Sequence, residues 1–110
     1  MLDLARELKE RKANRSFTAV TFGLFTDGLE HFQKAYEEGL ITKVFATNLV
    51  YRTPELLASP WFCDVNMAKF VALLIDAINH DASLSSLVDP TEKIRKLLDN
   101  YRKGQCQLNP

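Results

Sequence analysis

No stretch of this 110-residue chain is apolar for long enough to cross a bilayer: the longest run, residues 70–75, falls far short of the roughly 18 residues a span needs. No signal-peptide pattern is evident either, and together these absences point to a cytoplasmic protein. Charge of one sign is missing too. Fourteen basic and fourteen acidic side chains cancel, which leaves no long-range field to draw in nucleic acid or an anionic membrane. Cysteine is scarce: Cys63 and Cys106 lie far apart, with no CxxC and no Cys/His cluster. The spacing offers no metal site, and both read as free thiols in a reducing compartment. The four glycines form neither a GxGxxG fingerprint nor a Walker loop. Glu37 and Glu38 adjoin at a helix end, cannot face one another, and so are no catalytic pair. His31 and His80 have no Ser, Cys or carboxylate at motif spacing, which favours structural roles for both. Internal repeats and low-complexity segments are absent as well, so length and composition suggest one globular domain.

What is present is organised around residues 16–36, SFTAVTFGLFTDGLEHFQKAY. Phe17, Ala19 and Thr21 alternate with Thr18, Val20 and Phe22, all apolar or β-favouring, and this predicts a strand covered on both faces. Gly23 ends it, where a residue without Cβ takes turn conformations, and residues 23–28 reverse the chain. Leu29, Phe32, Ala35 and Tyr36 then recur at helical spacing, and Gly39 closes that helix. Residues 43–47 return to the extended pattern, making a β-α-β unit with a right-handed crossover.

The flanking segments follow. Met1, Leu4, Ala5 and Leu8 share the apolar face of a helix over residues 1–12, whose charges face water. That stripe starts at Met1 with no capping residue before it, which creates the expectation of something upstream; an uncapped terminal helix that frays gives the same pattern. Residues 48–60 form a loop with room for one helical turn. Tyr51 and Arg52 stand there, where a ligand or subunit contact and a plain surface pair are both open readings. A third strand is expected over residues 61–65, then a helix over residues 67–79 with Asn66 as N-cap. Phe70, Val71, Leu73, Leu74, Ile75, Ala77 and Ile78 make that helix apolar almost all round, so it needs cover on two sides, from a further domain portion or a subunit interface. Asp89, Pro90 and Glu92 mark the start of a closing helix with Ile94, Leu97, Leu98 and Tyr101 as its buried stripe. Gly104 ends it, and residues 105–110 read as a loose tail. Between these two helices, three hydroxyls in residues 81–86, DASLSS, could hold a phosphate or simply start a helix.

In combination LARELKERKA, TAVTFGLFTDG, VFATN and SLSSL give the chain a resemblance to the C-terminal portion of the ribose-phosphate pyrophosphokinases. Their order and spacing carry it, over residues 1–88. It implies an α/β fold, a parallel sheet flanked by helices that forms the C-terminal portion of a type I phosphoribosyltransferase-like fold. Residues 1–88 would be part of that domain and residues 89–110 a helical extension and tail. The implied reaction transfers pyrophosphate from ATP to the C1 hydroxyl of ribose 5-phosphate, with Mg, giving phosphoribosyl pyrophosphate and AMP. In the family a ribose-phosphate loop with two adjacent acids opens the helix that starts this chain, and the ATP-binding half precedes it. The resemblance therefore implies no catalytic residue and no metal ligand here, and an isolated chain that is inactive. Mg and ATP would belong to the parent enzyme. Thr21 and Gly23 match a turn at the active-site rim, with Phe22 where histidine is common. Ser83 and Ser85 match an S-x-S element that helps bind regulatory phosphate or the β-phosphate of ADP between subunits of a homo-oligomer. A non-catalytic module that associates with full-length subunits, and an unrelated small α/β domain, are the other readings.

Overall fold

Along residues 43–47 Val44 and Ala46 alternate with Lys43, Phe45 and Thr47, and in an extended chain that alternation sends the two small apolar side chains to one face. In the computed structural model, which describes residues 1–104, the segment is the central strand of a three-stranded sheet. The elements are α1 (Leu2–Glu10), β1 (Phe17–Val20), α2 (Glu30–Glu37), β2 (Lys43–Thr47), α3 (Pro54–Ala58), β3 (Phe62–Val65), α4 (Ala68–Asn79), α5 (Ser85–Val88) and α6 (Thr91–Arg102). They gather into two compact units, Met1 to Ala68 and a second that begins at Lys69.

In the first unit the strand order is β1-β2-β3, all parallel, with Ala19 opposite Phe45 and Phe45 opposite Cys63. The coarse expectation of a parallel sheet with helices is met. Val44, Ala46 and Phe62 are buried and share a core with Ala5, Ala35, Ile41, Leu56 and Trp61. Trp61 is fully buried at the entry to β3; its ring stacks on Phe32 at 5.4 Å, and its indole N–H donates to Gln33 Oε1 at 3.0 Å. A buried indole that finds an acceptor combines a large apolar area with a satisfied polar tip. The third strand consequently starts one residue later than expected, at Phe62.

The other face of the sheet departs from expectation. Phe17 is 59% exposed and Ala19 is also exposed, while Thr18 and Val20 are half-buried. The first strand is covered on one face only, and the same face of the central strand, at Lys43, Phe45 and Thr47, is only half-buried. Gly23 also acts differently from the turn residue expected. Its φ is not positive; a Cβ there would lie 2.7 Å from Phe25 Cε2 and 3.1 Å from Ala46 Cβ, so the position needs glycine for close approach. Phe25 (φ 48°) and Gly28 (φ 82°) carry the left-handed conformations of this loop.

Helix ends in this unit follow local chemistry. After α2 the Gly39 N–H reaches Tyr36 O at 3.0 Å and the Leu40 N–H reaches Ala35 O at 2.9 Å, with Gly39 at φ 71°. This is the Schellman arrangement, and it satisfies carbonyls the helix would otherwise leave free. Thr53 caps α3 by accepting the Leu56 N–H at 3.2 Å, with Pro54 in the first turn. On α1, Ala5 is buried and Leu2 packs on the core, whereas Leu4 and Leu8 of the expected stripe are exposed.

The second unit contains α4, α5 and α6. Ala77 of α4 is buried, but Leu73, Ile75 and Ile78 are exposed, so the described residues do not supply the second side of cover, which the sequence assigned to a further domain portion or a subunit interface. Its start lies at Ala68, whose N–H donates to Asn66 Oδ1 at 2.9 Å, so Asn66 does act at this helix start. In α6 the stripe expected to be buried is exposed: Ile94, Leu97, Leu98 and Tyr101 all face water. Asp89 accepts the Thr91 N–H at 3.0 Å at the start of this helix. Cys63 is a free thiol; Cys106 and the tail lie outside the described residues.

Candidate functional site at the carboxyl end of the sheet

Parallel strands deliver their following loops to one edge, and in open α/β sheets ligands bind outside the carboxyl ends of the strands. Here the loop after β1 (residues 21–29) and the loop after β2 (residues 48–53) border a cleft of about 540 Å³. Gly23, Asp27, Glu30, Tyr51, Thr53 and Glu55 contribute to its lining. A smaller cleft, about 370 Å³, opens on the other side of the same glycine loop, between Phe22, Leu24 and His31 and the start of α1.

The strand ends are tied together by polar side chains. Thr47 Oγ1 donates to Thr21 O, which joins the ends of β2 and β1. Asn48 donates from Nδ2 to Asn66 Oδ1 at 3.1 Å and accepts the Met67 N–H at 2.9 Å, joining the ends of β2 and β3. Arg52 forms an ion pair with Asp64 of β3. That pairing commits the guanidinium to the sheet edge and leaves Tyr51, 84% exposed, as the side chain of this loop that meets solvent.

The larger cleft carries three carboxylates, Asp27, Glu30 and Glu55, and no basic side chain. Such a lining repels a free phosphate and suits hydroxyl groups, which donate to carboxylates. No three His, Cys, Asp or Glu side chains converge to hold a metal ion among the described residues. The sites expected from sequence are distributed as follows. Gly23 lines both clefts, while Thr21 offers its carbonyl to Thr47 and lines neither. Ser83 and Ser85 belong to the second unit, where Ser83 Oγ donates to Ser85 Oγ at 3.2 Å and accepts the Ser85 N–H at 3.3 Å. These hydroxyls start the single turn of α5. Ser85 also borders a depression with Ser86, Asp89, Glu92, Lys93 and Lys96. The nearby lysines come from the next helix, a proximity that the sequence around residues 81–86 does not signal.

His80 accompanies Asp76 one turn earlier in α4, its Nδ1 lying 2.9 Å from Asp76 O and 3.2 Å from Oδ1. This is a helix-end contact at four-residue spacing. Asp27 was the cleft residue least visible in the sequence; its only signal is the Asp27-Gly28 turn directly after a strand. A scan against protein-family models matches none, and a comparison with curated proteins finds no match.

Proposed function

We propose that the chain is the C-terminal part of a ribose-phosphate pyrophosphokinase, whose reaction moves the terminal pyrophosphoryl group of ATP to the C1 hydroxyl of ribose 5-phosphate, and that this part alone is inactive. The observation that carries the reading is the one-way strand order with an unguarded first edge. In a doubly wound sheet the ligand crevice forms where the strand order reverses. The order β1-β2-β3 has no reversal, so the crevice of such an enzyme would lie beyond β1.

That edge carries few of the devices by which sheets end, beyond the shortness of its four-residue strand. Proteins blunt an exposed edge with lysine, proline, bulges or a covering element. Residues 16–26 carry no charge and no proline, and Phe17 is exposed. Further strands of the parent enzyme would continue the sheet there, and the end of β1, with Thr21 and Gly23, would become the rim of the crevice. Ribose 5-phosphate and ATP would bind chiefly to residues outside this chain. The described residues do not fit Mg, since none of their acids are gathered into a metal-holding group.

Peptide mapping of the endogenous protein across the Met1 junction tests this reading. Peptides that continue upstream into an Asp-containing, Gly-rich loop are the expected result. A native chain that begins at Met1 overturns it and leaves the second reading, a non-catalytic module on full-length subunits, which the exposed Leu73, Ile75 and Ile78 of α4 favour. AMP formation from ATP and ribose 5-phosphate by the pure chain overturns the inactivity.

A further inference from the structure

We propose that α6 lies in the plane of an anionic membrane surface, with its apolar stripe against the acyl chains and its basic rims at the headgroups. Every residue of the helix is exposed. Its stripe, Ile94, Leu97, Leu98 and Tyr101, recurs at i, i+3, i+4 and i+7, with Leu97 67% and Tyr101 71% exposed. At about 100° per residue, Arg95 and Arg102 border one side of the stripe and Lys93 the other, while Glu92 and Asp99 fall on the opposite face. The charges of the whole chain cancel, but residues 91–103 hold five basic side chains against two acidic ones. The apolar face is therefore framed by positive charge alone.

That framing decides between occupants. A second α6, parallel or antiparallel, would set positive rim against positive rim and be repelled. A neutral apolar groove would leave the rims without counter-charge. An anionic bilayer answers both needs. Leucine and isoleucine enter the boundary between headgroups and acyl chains, and the long stems of lysine and arginine cover apolar surface while their charges rise to the lipid phosphates. Tyrosine suits such a boundary because its ring is apolar and its hydroxyl is polar. At 1.5 Å per residue α6 is about 18 Å long, short of the roughly 30 Å hydrocarbon core. No helix among the described residues is long and apolar enough to cross a membrane, so the contact is along the surface. The zero net charge of the chain removes steering from a distance; the local charge of α6 acts within a Debye length, about 10 Å at 0.1 M salt.

The inference does not rest on the proposed reaction, and no activity enters its test. The full chain is floated with vesicles of phosphatidylcholine alone and with vesicles of phosphatidylcholine mixed with phosphatidylserine. It should bind the mixed vesicles, bind the neutral ones roughly tenfold more weakly or less, and release as salt is added. The variant R95E/R102E should weaken binding roughly thirtyfold or more, since each basic side chain near such a surface is worth about fivefold. The variant L97Q/Y101Q, which keeps every charge, should weaken it roughly tenfold or more by removing apolar contact. All four positions are exposed, and circular dichroism of the free variants checks that helix content is unchanged. Failure of the wild-type chain to bind the mixed vesicles overturns the proposal and leaves an acidic-walled protein groove as the occupant. Equal binding to both lipid compositions, or binding indifferent to either variant, overturns it as well.

Discussion

Helices α2 and α6 have nearly the same design in sequence and opposite fates in the fold. Both carry four apolar residues at helical spacing, both have acid in the first turn and base in the last. Yet Ala35 of α2 is buried and Phe32 and Tyr36 pack on the core, while every member of the α6 stripe is exposed. The difference lies in what each stripe meets. The α2 helix follows a strand and returns along the sheet, so its stripe joins the core of Val44, Ala46 and Trp61, whereas α6 follows a one-turn helix and a proline, with no strand beside it in sequence among the described residues. An apolar stripe states a need for cover; the connectivity decides whether the same chain supplies it.

The largest test of that contrast removes the surface beneath α2. Trp61→Ala takes away a fully buried ring that contacts Phe25 and Phe32 and frees the Gln33 carbonyl. It should cost about 3–5 kcal/mol, measured by urea denaturation. Leu97→Ala in α6 should change stability by no more than about 0.5 kcal/mol, since Leu97 is exposed. Equal losses at the two positions would show that α6 is covered in solution after all.

A smaller effect should come from Gly23→Ala, which probes the loop that positions the cleft. The added methyl meets Phe25 and Ala46 at contact distances too short to keep, and the displaced ring belongs to the core beneath α2. A loss of about 1–3 kcal/mol is expected, read as a shift in denaturation midpoint. A neutral result would mean that Phe25 turns aside at no cost.

The smallest effect concerns the start of α6. Hydrogen bonds from the Thr91 hydroxyl and then the Thr91 N–H hold the Asp89 carboxyl below its ordinary value of 3.8. A folded-state value that is lowered contributes stability fully present above the ordinary value and lost as pH falls through the folded one. The circular dichroism of this helix should therefore be flat from neutrality down to about pH 4 and decline only in the more acidic range. In Asp89→Asn that acid-side decline should be reduced; an unchanged profile would remove Asp89 from the account.

Much of the fold was legible because its signals are local. Alternation in residues 17–22 and 43–47, the glycine after α2 and the Thr53-Pro54 start of α3 each act within a few residues, and the elements formed there, although β1 stops at Val20, short of the strand expected up to Gly23. The candidate cleft was far less legible. Tyr51 stood out by its loop, but Asp27, Glu30 and Glu55 come from three segments, and only the parallel return of the chain brings them around one space. Likewise Lys93 and Lys96 reach the Ser85 depression from another helix. No spacing rule along the chain reports such a meeting.

By itself the sequence determined the order and type of the elements, the parallel β-α-β connection and the absence of a long apolar span, since these depend on neighbours along the chain. Only the tertiary structure decided that β1 is an edge with Phe17 in water, that Gly23 is required by the approach of Phe25 and Ala46, and that the α6 stripe is exposed among the described residues. Those outcomes depend on which surfaces lie opposite one another in space, and an apolar side chain carries the same pattern in the sequence whether or not anything arrives to bury it.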